Sequence, residues 1–422
     1  MKFYLSVIAM SVQALLILMS SEVSAQITAD AEFRFSPVYS RGFRQPLYEG
    51  EKPGFYTLQR TRFIVDYNQP GDLKVQVIIQ DRRFWGDQNE RADVPNMAIF
   101  RAWAEKYFTP QLSLKMGRQG LIYDDQFIFG ELNWGGTLAH DVAILKYESD
   151  AIKVHLAAAY NANRGELKRE HYDFNMPKAM QFLWLHKDFG KLSTSVMMVN
   201  HGMETEDTVV HFTQTIGVNN HLKVSDALTL KGIYYFQTGE DEASMSVNAY
   251  LLSAQAIYKA SKNLSFNVGA DISSGTNGTD LANPENGTSN TFNRYFGLLH
   301  GQFGLLDLFY VKEATSQGIR DYYLKTKISN GPLSISNDLH AFSSDQTLLN
   351  VSTGEAMNDF LGIENDLKIN YKFTSTFKAT LGHSIMFGTS SLDQFFGGTP
   401  IKDCQYFYAV ITAKPRLFES KN

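Results

Sequence analysis

The chain has 422 residues and a formal net charge of −5; charged residues make up 20% and aromatic residues 13%, with 30 Phe and 21 Tyr against 11 Pro. That balance excludes a basic nucleic-acid binder and a disordered acidic chain. The single cysteine, Cys404, excludes an intrachain disulfide, so stability must rest on hydrogen bonding and packing.

Residues 1–25 read as a secretory signal peptide: Lys2 supplies a positive start, Tyr4 to Met19 an apolar stretch, and Val23-Ser24-Ala25 a small-residue cleavage site. The mature chain is expected to begin at Gln26 and to form one domain over residues 26–422. No segment of it approaches the ~20 apolar residues of a membrane-spanning helix, so a place in a membrane would demand a closed β-barrel.

Period-two alternation begins at once. Ala29, Ala31, Phe33 and Phe35 share one face, opposite Thr28, Asp30, Glu32 and Arg34. Thr61, Phe63, Val65 and Tyr67 oppose Arg60, Arg62, Ile64 and Asp66; after the turn at Asn68 to Asp72, Leu73, Val75, Val77 and Ile79 oppose Lys74, Gln76, Ile78, Gln80 and Arg82. Further strands are expected near Met97–Phe108, Gln111–Arg118, His140–Glu148, Ile152–Tyr160, Met180–Phe189, Leu192–Asn200, Val209–Val218, Leu228–Gln237, Ala249–Tyr258 and Leu264–Ser273. The remainder are Tyr295–Phe303, Leu305–Val311, Tyr322–Ile328, Leu333–Phe342, Gly362–Tyr371, Thr376–Met386 and Tyr406–Ala413. No helical period persists over three turns.

Alternation by itself fits a surface β-sandwich that binds glycans as well as it fits a membrane barrel. Aromatics near strand ends, such as Tyr67, Trp85, Tyr107, Trp134 and Tyr160, and connections of two lengths favour the barrel. About 22 residues per strand gives an all-β, transmembrane antiparallel barrel of about 18 strands, with 16 as the alternative. A barrel enzyme is the weaker rival. His140 with Asp141, His155, His211 and His300 with Asp307 are its candidate residues, but there is neither a Gly-x-Ser-x-Gly nor a His-Glu-x-x-His element. No catalytic residue, metal site or cofactor is expected.

Ten of the 15 arginines precede residue 121, among them Arg60, Arg62, Arg82, Arg101 and Arg118. They form either a self-neutralising ladder with nearby carboxylates or a track that guides anions. Strict alternation points Arg118 to lipid; a bulge at Gly117 would turn it inward. Asp124, Asp125 and Glu131 would then lie in a loop or on the pore side, close enough in sequence to pair with lumen arginines.

Arg60-Thr61-Arg62, Gln80-Asp81 before Phe84-Trp85-Gly86, and above all Met116-Gly117-Arg118-Gln119 with Tyr123-Asp124-Asp125, Gly130 and Trp134 resemble the alginate-export family of outer-membrane porins. So do Gly269-Ala270-Asp271 and Leu361 to Leu367. The resemblance implies a single-chain barrel of 16 to 18 strands in the Gram-negative outer membrane, with a narrow charged pore for hydrophilic solutes and Arg60, Arg62 and Arg118 lining it. Arg82 and Arg101 join them by alternation, and Asp124 and Asp125 complete the expected solute-binding set. Expected partners are outer-membrane lipid and lipopolysaccharide, the barrel-assembly machinery during biogenesis, and the solute; nucleic acid is not one. The acidic overall balance and the thinning of cations after the first third weigh against a polyanion as cargo.

Overall fold

The computed structural model describes residues 25–89, 97–131, 138–163, 165, 171–174, 176–277, 287–298, 300–309, 316–350, 352–401 and 403–420. The signal-peptide assignment, but for Ala25, and Trp134 lie outside the described residues.

Alternating sequence becomes alternating strand. The strands are β1 (Gln26–Arg41), β2 (Gly54–Gln69), β3 (Leu73–Phe84), β4 (Met97–Tyr107), β5 (Leu112–Gln119), β6 (His140–Glu148), β7 (Lys153–Tyr160), β8 (Ala179–Phe189), β9 (Leu192–Glu204) and β10 (Val210–Lys223). They continue as β11 (Leu228–Glu240), β12 (Ser246–Lys259), β13 (Leu264–Ser273), β14 (Thr288–Ser289), β15 (Ile319–Asn330), β16 (Leu333–Ser344), β17 (Phe360–Lys372), β18 (Phe377–Gly388), β19 (Cys404–Ala413) and β20 (Arg416–Glu419). A short helix, α1 (Ser390–Phe395), follows β18.

Each long strand pairs antiparallel with the next, β13 with β15 across the short β14, and β19 returns to β1. The result is a closed 18-stranded antiparallel barrel, with β14 and β20 outside that count. Closure satisfies the backbone groups that an open edge would leave bare. Connections at one rim are tight, as between β2 and β3 or β8 and β9, while at the other most are long.

The faces follow the alternation. Phe63, Leu156 and Val268 are exposed on the outward face, which Val65, Val75, Val77, Val154 and Phe266 share by register. Arg60, Arg62 and Asp271 are buried on the inner face, where Gln76 donates to Asp66 at 2.7 Å and accepts from Trp103 at 3.1 Å. With the protein reconstituted in lipid, a cysteine at position 76 is therefore expected to react with a water-soluble maleimide and one at 77 with an apolar reagent. The reverse pattern would mean a register slipped by one residue.

Two expected strands are not strands over their described residues, 295–298, 300–303 and 305–309. Tyr295–Phe303 and Leu305–Val311 fall within the long β13–β15 connection; its described part runs inside the barrel and buries Phe296, Phe303, Leu306, Leu308 and Phe309. Their apolar side chains find a dry environment in the lumen, so the sequence pattern of a lipid-facing strand arises without one.

Candidate functional site

The first inward connection joins β5 to β6. Tyr123 Oη lies 2.9 Å from His155 Nδ1 on β7; Asp124 accepts from Trp184 Nε1 at 3.1 Å on β8 and from the Ser195 hydroxyl on β9. Asp125 accepts from Asn219 at 3.2 Å, meets His221 at 3.0 Å and takes a bond from Lys231 Nζ at 2.7 Å, on β10 and β11. At its other end Glu131 accepts from Arg101 on β4 at 3.0 Å. The connection thus reaches across the lumen from β4 to β11.

The second inward connection, between β13 and β15, is stitched to the first. Gly130 N donates to Phe296 O at 2.8 Å, Leu298 N donates to Gln126 O at 2.8 Å, and the rings of Phe129 and Phe296 stack at 5.5 Å. Gly130 allows this approach, because a Cβ there would collide with the Leu298 backbone. Farther on, Glu364 of β17 accepts from the backbone N–H groups of Leu305 at 2.7 Å and Leu306 at 2.8 Å. His300 Nδ1 meets Asp307 at 2.9 Å. The two connections form one plate across a barrel whose width would otherwise leave an aqueous channel.

Beside the plate stands the arginine wall. Strand register sets Arg34, Arg60 and Arg82 in one row across β1, β2 and β3, and Glu32, Arg62 and Gln80 in the next. Arg60 is salt-bridged to Glu32, and Arg62 Nε donates to Gln80 at 2.8 Å. A bulge in the β3–β4 pairing turns Phe100 inward beside Arg101, and its ring lies between the guanidinium of Arg62 at 4.4 Å and that of Arg101 at 4.8 Å. Like charges directly opposite on neighbouring strands are destabilising. A row of three arginines is therefore poor structural design for a wall.

Several expected residues are placed differently. Arg118 faces outward: it pairs with Ala102 and Asp141 without a register break, bonds Asp141 at 2.8 Å, and its side chain is 45% exposed. Gly117 does adopt a positive φ of 116°, but it adds no residue to the ladder and so leaves the alternation intact. An outward arginine is tolerable here because β5 ends one residue later, where the cost in a barrel falls from roughly 2–4 kcal/mol at mid-membrane to about 0–1 kcal/mol. Asp124 and Asp125 lie in a loop on the pore side, as expected, but seat on β8–β11 and bond groups there instead of lumen arginines. Burial pushes the Asp124 carboxyl up. At Asp125 burial also works upward, but bonds from His221 and Lys231 outweigh it and hold the carboxyl well below its usual range.

Arg60, Arg62, Arg82 and Arg101 do share the inner wall. Arg34, Phe100 and Glu131 complete it. Arg34 was legible as a polar-face residue of the first strand; the inward turn of Phe100 depends on a bulge that alternation cannot show. His140 and Asp141, adjacent in sequence, face opposite sides of the sheet and cannot act as a pair.

No protein-family profile matches the chain, and no curated protein matches it in sequence. Solved structures of similar architecture include Pseudomonas aeruginosa OpdO, at a TM-score of 0.61 and 11% identity over 93% of this chain and 98% of that one. Pseudomonas aeruginosa OpdQ gives 0.61 and 13% over 93% and 98%, and Acinetobacter baumannii OccAB4 gives 0.60 and 11% over 92% and 98%. What this chain shares with them is the fold. The resemblance to the alginate-export family gains no support from any of these comparisons.

Proposed function

We propose that the protein is an outer-membrane porin of a Gram-negative envelope, passing small hydrophilic solutes passively and favouring anionic ones, anionic saccharides among them. The barrel and its likeness to substrate-specific outer-membrane porins support the channel reading. The short-turn rim then faces the periplasm and the long-loop rim the exterior.

The observation that carries selectivity is the arginine row beside the plate. Among the described residues, Arg34, Arg60, Arg62, Arg82 and Arg101 share this band with the carboxylates Glu32 and Glu131. Cations that line a narrow passage favour anions, and a low-dielectric wall weakens the screening that water and salt would provide.

The test is a planar-bilayer recording of the purified protein across a tenfold potassium chloride gradient. A reversal potential on the chloride side is expected, together with liposome uptake of small organic anions faster than of cations of equal size. Cation preference would overturn the anion reading, and an absence of conductance would overturn the porin reading.

A further inference from the structure

A cavity of about 370 Å³ lies at the loop-bearing rim, between the ends of β5–β8 and the described part of the β7–β8 connection. Its volume is at the low end of small-molecule sites. His140 sets its floor. That side chain is 3% exposed, its Nε2 is buried without a hydrogen-bond partner among the described residues, and its ring packs edge-on against Phe296 of the plate at 5.4 Å.

The rest of the lining gives the cavity its chemistry. Asn161 donates its Nδ2 to Pro177 O at 2.7 Å, which leaves its Oδ1 as an acceptor. Tyr172 and Phe174 lie 5.3 Å apart as a tilted aromatic pair, and Phe174 is 59% exposed. Arg118 and Asp141 line the same cavity as an ion pair, so their charges cancel within it. The site therefore offers an apolar aromatic face, amide and imidazole hydrogen-bonding groups, and no net charge from its ion pair. An ion gains little there. A hydroxylated ring, with one apolar face and several hydroxyl groups, matches each feature.

We infer that this cavity is a docking subsite for one neutral sugar ring at the outer mouth, reached before the arginine wall. The inference deepens the porin reading and rests on it for the direction of approach, through the contact between His140 and the plate.

Saturation-transfer NMR on the full-length detergent-solubilised protein with glucose tests it without requiring transport. Transfer to glucose is expected for the wild type, falling at least fivefold in His140→Phe and in Asn161→Ala. Tyr172→Ala, in a connection outside the barrel ladder, should do the same without endangering the fold. Heat-modifiable gel migration shows that each variant remains a barrel. No transfer in the wild type, transfer to gluconate but not glucose, or equal transfer in all three folded variants would each overturn the subsite. A conducting channel without glucose transfer leaves the porin reading standing, whereas glucose transfer to a non-conducting protein removes that reading and leaves a sugar-binding rim.

Discussion

Replacing Arg34 and Arg82 together by glutamine is expected to move the reversal potential toward cations by on the order of 20 mV, against a limit of about 59 mV for a tenfold gradient of a monovalent ion. The pair flanks Arg60 in the row, and the variant leaves the Arg60–Glu32 bridge in place. Neighbouring strands stand about 4.8 Å apart. At that spacing and an effective dielectric constant near 20, each adjacent guanidinium pair repels by about 3 kcal/mol before the side chains splay. Removing the outer two relieves both repulsions, so the barrel should unfold at the same temperature or higher in a heat-modifiability series. Arg83→Gln is the control: its guanidinium bonds Asp81 at 2.8 Å on the outward face and should leave the reversal potential unchanged. An unmoved potential in a folded Arg34/Arg82 variant, or a lowered unfolding temperature, would mean that the row braces the wall instead of selecting.

Asp125→Ala should raise single-channel conductance severalfold and admit trisaccharides in liposome swelling, because it cuts the plate from β10 and β11. Three wall groups lose their acceptor at once, and Lys231 is left part-buried without its carboxylate, a loss on the order of 3–5 kcal/mol when such a pair is broken on one side. The barrel ladder does not involve this connection, so folding should survive. The sign with pH follows from the carboxyl held low at Asp125. A group whose pKa is depressed in the folded state contributes above its ordinary value near 3.9 and loses that contribution only as pH falls through the depressed one. Wild-type conductance should therefore stay small at pH 4. Unchanged conductance in Asp125→Ala would show that Gly130–Phe296 stitching and the Glu364 bonds hold the plate unaided.

The sequence by itself determined most of the strands and which way most of their residues face, because a period of two leaves each side chain one choice of side. Phe63 against Arg62 and Val77 against Gln76 follow from that; the outward turn of Arg118 does not, because alternation pointed it outward while the glycine before it and the family resemblance placed it in the pore, and the register decided. The 18 strands were legible too, once the two false candidates between residues 295 and 311 are set aside. Those two could not be rejected in advance: a lipid-facing strand and a segment packed in the lumen both present apolar residues at short intervals. Tertiary structure alone decided the rest. The row of Arg34, Arg60 and Arg82 exists only through the register of three strands, and the plate exists only because Asp125 and Glu131, six residues apart, find partners on opposite walls. Pairing across strands and loops depends on distances in space that local alternation does not encode, so the sequence could name the wall's residues without assembling the constriction.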